Sequence, residues 1–110
     1  MIEVNEYVRT KDGKIDKVIN SNFYMSIYVE CEKGLYLIEN IVKHSKQLID
    51  LIEEGDYVNG HLVEEVRISC FDSSIFVHEY EIELHENDIK TILTKEIYMA
   101  NCYKVGGEDE

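Results

Sequence analysis

The sequence predicts a mainly β (α+β) fold: a small, strongly bent antiparallel barrel, SH3-like, carrying two short helices. Three observations predict it. Short runs rich in aromatic and β-branched residues recur along the chain. Asp12-Gly13 and Asn59-Gly60 are strong hairpin-turn signals between such runs. No alternation of strands with long amphipathic segments announces a βαβ rhythm. A two-layer α+β sheet is the competing architecture. The 110 residues fit one domain, taken as 1–105, with a disordered acidic tail at 106–110.

Each element has its own warrant. Tyr7-Val8-Arg9-Thr10 and Ile15–Ile19 flank the Asp12-Gly13 turn and form the first hairpin. Asn20-Ser21-Asn22 turns the chain. From Phe23 to Cys31 the pattern is that of a strand, with Phe23, Met25, Ile27 and Val29 on one face. Glu32-Lys33-Gly34 is a turn, Leu35–Ile38 a strand and Ile41–His44 another. Ser45 is an N-cap candidate for a two-turn helix ending at Gly55. Tyr57-Val58 and Leu62–Val66 flank Asn59-Gly60 as a second hairpin, extended through Phe71. This hairpin echoes the first: Glu6-Tyr7-Val8 matches Asp56-Tyr57-Val58. Ile75–Leu84 is the longest strand expected, and Ile89–Leu93 the last. Thr94 should cap a final helix from Lys95 to about Asn101, with Glu96 near its positive end.

Composition narrows the function classes. Cys31, Cys70 and Cys102 are odd in number and widely spaced, which points to reduced thiols and a cytoplasmic protein rather than a disulfide framework. The acidic start of the chain does not read as a signal peptide. No stretch approaches about 20 apolar residues, so no membrane span is expected. A net charge of −12 argues against direct binding of nucleic acid, which rests on Lys and Arg. His44, His61, His78 and His85 show no zinc-type spacing, so neither a metal nor another cofactor is expected. The motifs of the common hydrolases and nucleotide-binding enzymes are absent, and no catalytic residues are assigned.

The charge is unevenly placed. Residues 50–88 hold twelve acids and a single basic residue, Arg67, and so carry eleven of the twelve net negative charges. Within this stretch Glu79, Glu81 and Glu83 alternate. On one continuous strand they would project from one face, about 6.7 Å apart, close to the spacing of successive phosphates. They form the core of the expected partner-binding face, with Glu64, Glu65 and Asp56 on its rim. The bland alternative is a solvated strand face whose charge discourages edge pairing.

Several phrases resemble small phage and prophage proteins of low-GC Gram-positive bacteria. They are Glu6–Ile15, Ile41–Ile52 with Gly55–Gly60, and Asp88–Glu96, about a third of the chain. The resemblance implies a phage accessory protein and supplies no catalytic residues. By analogy with anti-CRISPR proteins, it implies a non-enzymatic inhibitor whose acidic face occupies the basic nucleic-acid-binding groove of a host defence protein, a CRISPR effector nuclease being the example, in the host cytoplasm. The alternative reading is a structural module that forms homo-oligomers through a Tyr-rich sheet edge.

Overall fold

The computed structural model describes residues 2–20, 27–103 and 105–107. The protein is mainly β, with two five-stranded antiparallel sheets and one short α-helix among these residues. The first sheet contains β1 (Tyr7–Thr10), β2 (Ile15–Asn20), β3 (Tyr28–Cys31), β4 (Gly34–Leu37) and β5 (Ile41–Ser45), in the spatial order β4-β3-β2-β1-β5. The second contains β6 (Tyr57–Val58), β7 (His61–Arg67), β8 (Ser74–Val77), β9 (Ile82–Leu84) and β10 (Ile92–Leu93), in the order β10-β6-β7-β8-β9. Helix α1 (Lys95–Asn101) follows.

The two sheets have the same topology. Each is a four-strand meander whose fifth strand returns to pair with the first. A 3-10 turn precedes that fifth strand in both halves, at Ile38–Asn40 and at Glu86–Asp88. The likeness extends to individual hydrogen bonds. Glu6 N donates to Glu3 O, Asn5 N to Val18 O and Val18 N to Glu6 O; likewise Asp56 N donates to Glu53 O, Gly55 N to Val63 O and Val63 N to Asp56 O. Asn5 and Gly55 both adopt positive φ, 75° and 96°. Lys11 N reaches Asn40 O at 2.8 Å, as Asn59 N reaches Thr91 O at 2.9 Å. Even the bulge recurs: the register slips after Val18 in the β2–β3 pair and after Val63 in the β7–β8 pair. The echo between the hairpins is therefore one part of a longer match, Ile2-Glu3-Val4-Asn5-Glu6-Tyr7-Val8 with Ile52-Glu53-Glu54-Gly55-Asp56-Tyr57-Val58.

Each half has its own apolar core. Val8, Val18, Val29 and Cys31 are buried in the first, with Ile2, Tyr36 and Ile41 packed against them. Ile49, Ile52, Val58, Val63, Ile75 and Val77 are buried in the second, backed by Val66, Ile82, Leu84, Ile89 and Ile92. Corresponding positions fill corresponding places: Val8 with Val58, Val18 with Val63, Val29 with Ile75, Cys31 with Val77. The bulge makes the second core possible. Val63 and Val66 are three apart, which on a regular strand would put them on opposite faces; one extra residue, Glu64, restores both to the inner side.

Several expected elements differ. The helix expected from Ser45 to Gly55 is a 3-10 turn at Leu48–Leu51, so one α-helix rather than two is present among the described residues. Two turns of helix cannot offset their nucleation cost, and Ser45 is drawn into β5 instead. Ile75–Leu84 is not one strand but the hairpin β8–β9, turning at His78–Glu81. Strand β7 stops at Arg67 and the last strand is confined to Ile92–Leu93. The expected face of Phe23 and Met25 lies outside the described residues, as do positions 108–110 of the expected disordered tail; Val105–Gly107 form a 3-10 turn.

Candidate functional site

The three strands β7, β8 and β9 form a ribbon whose inner side carries Val63, Val66, Ile75, Val77, Ile82 and Leu84. Its outer side carries Glu65, Arg67, Phe76 and Glu83. Register places Glu65 opposite Phe76 on one side, and Glu83 opposite Phe76 on the other. The Arg67 guanidinium lies over the Phe76 ring, 4.6 Å from its centroid. Arg67 Nε donates to Glu65 Oε2 at 2.8 Å. Tyr80 adds a second ring, 6.3 Å from Phe76.

The tip of the ribbon is strained. His78, Glu79 and Tyr80 all have positive φ, at 56°, 57° and 70°. Three successive non-glycine residues in the left-handed region are uncommon, and each costs about 1 kcal/mol or more. Glu64, the bulged residue, braces the turn by accepting Tyr80 N at 2.8 Å. Glu81 lies 3.4 Å from His78 Nε2. At the other end of the ribbon His85 bridges Asp72, at 3.2 Å, and Glu83, at 3.4 Å. Desolvation works to lower the His85 pKa, but Asp72 and Glu83 raise it above 6.5.

Five of the six residues expected at a partner-binding face thus sit on one ribbon: Glu64, Glu65, Glu79, Glu81 and Glu83. Glu79, Glu81 and Glu83 do not form the expected row, because Glu79 and Glu81 belong to the turn and, of the three, Glu83 alone lies in a strand. Evenly spaced phosphate mimicry is excluded by that geometry. The signal for the turn was present in the sequence. Ile75 and Val77 are inner residues at odd positions, Ile82 and Leu84 inner residues at even ones, and that change of parity requires a break between them.

Asp56 is a clear correction. It is 0% exposed and cannot sit on a rim. Its carboxylate receives both terminal nitrogens of Arg9, which is also 0% exposed, in a bidentate pair. Glu53 N and Lys95 N donate to it as well, at 2.7 and 2.9 Å. Arg9 further donates to Leu51 O at 2.9 Å and Glu96 Oε1 at 2.6 Å. Glu53 joins this clasp through Lys95 at 2.8 Å and Lys43 at 3.3 Å. The clasp links β1 of the first sheet to the start of β6 and to α1. Burial works to raise the Glu53 pKa, but the hydrogen bond from Lys95 and the charges of Arg9 and Lys43 overcome it and hold the carboxyl low.

Other acids of residues 50–88 also act locally. Glu86 accepts the backbone N–H groups of Leu48 and Ile49, Asp50 accepts the Ser45 hydroxyl, and Asp88 accepts His85 N. Of the twelve acids of the stretch, six lie on the β7–β9 ribbon and the loop leading into β8, namely Glu64, Glu65, Asp72, Glu79, Glu81 and Glu83, and Arg67 is the single Lys or Arg among them. Among the described residues no group of three or more His, Cys, Asp or Glu side chains is placed to hold a metal ion. No helix among them is long and apolar enough to cross a membrane. No protein family matches the chain, and neither curated proteins nor solved structures gave a match.

Proposed function

We propose that the protein is a non-enzymatic binding protein that offers the β7–β9 ribbon to a basic partner. The observation that carries this reading is the gathering of Glu64, Glu65, Asp72, Glu79, Glu81 and Glu83 on one ribbon whose sole Lys or Arg is Arg67. The strained turn supports it, because a backbone held in a costly conformation at an exposed acidic tip is characteristic of a presenting loop. The partner is a nucleic-acid-binding protein with a cationic groove, and the action is competition for that groove through charge and bulk. A phage inhibitor of a host defence protein, in the host cytoplasm, is the biological form this reading takes, supported by the sequence resemblance alone.

The fold reading is finer too. We take each five-strand unit to be SH3-like, on the support of its meander, its returning fifth strand and the 3-10 turn before that strand. The chain is then a tandem of two such units joined by the Arg9–Asp56 clasp.

The competitive action is tested with a labelled single-stranded oligonucleotide bound to a lysine-rich peptide. The expected result is stoichiometric release of the oligonucleotide when the protein is added at low salt, where the oligonucleotide otherwise stays bound to the peptide. No release at low salt would contradict the reading.

A second reading rests on a different observation. Among the described residues β4 is the outermost strand of its sheet, and Leu35 on it is 63% exposed beside exposed Ile38. An uncovered apolar edge suits pairing between two copies. Sedimentation of the wild type and Leu35→Lys distinguishes the two: a dimer dissolved by the substitution favours the edge, whereas a monomer in both favours the ribbon.

A further inference from the structure

Resting on the ribbon reading, we infer that the outer face around Phe76 is a guanidinium-recognition site, built for an arginine side chain of the partner and occupied in the free protein by Arg67. The site has the three parts such recognition needs. Phe76 supplies an aromatic face for a planar cation. Glu65 and Glu83 flank it by register and supply negative charge on either side. Tyr80, 57% exposed, extends the aromatic surface toward the turn. Guanidinium groups stack on such faces and pair with carboxylates at once, whereas an ammonium does so only as a point charge.

Arg67 demonstrates the fit. Its guanidinium is centred 4.6 Å from the ring centroid, with Nε bound to Glu65. Neither terminal nitrogen of Arg67 has a partner among the described residues, so its fork of donors is only partly used. Its side chain is 62% exposed, and a side chain held from solvent by one stack and one hydrogen bond exchanges readily for a competitor. The sole basic residue of the acidic stretch therefore stands as an internal placeholder. An incoming arginine displaces it and gains the stack and the carboxylate pair, while Arg67 swings to solvent.

Binding of hexa-arginine and hexa-lysine peptides, matched in charge, tests the inference by calorimetry on the full chain. The wild type is expected to favour hexa-arginine by about two- to fivefold per engaged stack. Phe76→Leu, checked by circular dichroism for its fold, is expected to abolish that preference. Arg67 is 62% exposed, and Arg67→Ala, its fold checked in the same way, is expected to increase the ratio of arginine to lysine affinity, a ratio in which the added negative charge cancels. Equal binding of the two peptides by the wild type, or a ratio unchanged by Arg67→Ala, overturns the site. Salt-sensitive binding of both peptides alike would do so while leaving the acidic ribbon standing, and binding of neither would remove both.

Discussion

At the scale of single residues the molecule separates acids that hold the fold from acids that face outward. Asp56 accepts from Arg9, from Glu53 N and from Lys95 N, and both Asp56 and Arg9 are fully buried. Removing the cation alone leaves a buried carboxylate without compensation, so Arg9→Met should cost about 3–5 kcal/mol of stability in denaturant unfolding. Replacing both partners, as Arg9→Met with Asp56→Leu, should cost less than the two single changes together, because neither charge is then stranded. Acid should loosen the same clasp. Glu53 has a lowered pKa, so its contribution is complete above the model-compound value of 4.5 and is lost as pH falls through the lowered folded value. Thermal melts between neutral pH and pH 3 check this, and Glu53→Gln should flatten the slope. Cys31 behaves differently: burial first, then the charges of Asp16, Glu30 and Glu32, push its thiol up to about 11. At neutral pH a thiol reagent should modify exposed Cys70 and spare Cys31 until the protein unfolds.

At the scale of elements, the N-terminus of α1 locks the first hairpin to the second half. Thr94 caps the helix by accepting Ile97 N, and its hydroxyl donates to Gly13 O at 2.7 Å. Gly13 has φ +89°, and a Cβ placed there would run into Thr94 Oγ1 and Glu96. Thr94→Ala should cost about 1–2 kcal/mol, and Gly13→Ala more than about 1 kcal/mol, both read from urea midpoints. The acidic tip should show the opposite sign. Glu79→Gly relieves a left-handed residue and should raise the melting temperature while weakening binding to a basic probe. These elements also show what the sequence disclosed. Asp12-Gly13, Asn59-Gly60 and the Thr94 cap were legible because each is a local rule obeyed locally. The β8–β9 turn contains neither Gly, Asn nor Pro and shows in the sequence only as the change of parity between Val77 and Ile82; its left-handed residues are held by Glu64, a contact from another strand. The helix expected after Ser45 does not form, because pairing with β1 claims Ser45 for β5.

At the scale of the whole molecule, one architecture is used twice with different surfaces. Glu6 and Asp56 occupy the same place in the two halves and make the same backbone contacts, yet Glu6 meets His44 at 2.8 Å at the surface while Asp56 closes the buried clasp. The outer face of the first half carries Asn20 and Glu30 where the second carries Glu65 and Phe76. The shared topology thus supplies the scaffold, and the residues on the outer face of the second half supply the acidic ribbon. That division was only partly visible in the sequence: a cluster of like charge could be counted, but whether a carboxylate is buried in a clasp or free on a ribbon depends on cations from distant positions such as Arg9 and Lys43.

The most direct measurement compares two triple variants that remove the same charge. Glu79→Gln, Glu81→Gln and Glu83→Gln change the ribbon; Glu32→Gln, Glu39→Gln and Glu54→Gln change exposed acids elsewhere. Titrated with a lysine-rich peptide at two salt concentrations, the ribbon variant should lose about tenfold in affinity and much of its salt dependence, while the control stays close to wild type. Equal losses in both variants would show that the peptide senses net charge alone and would contradict the ribbon as a binding site.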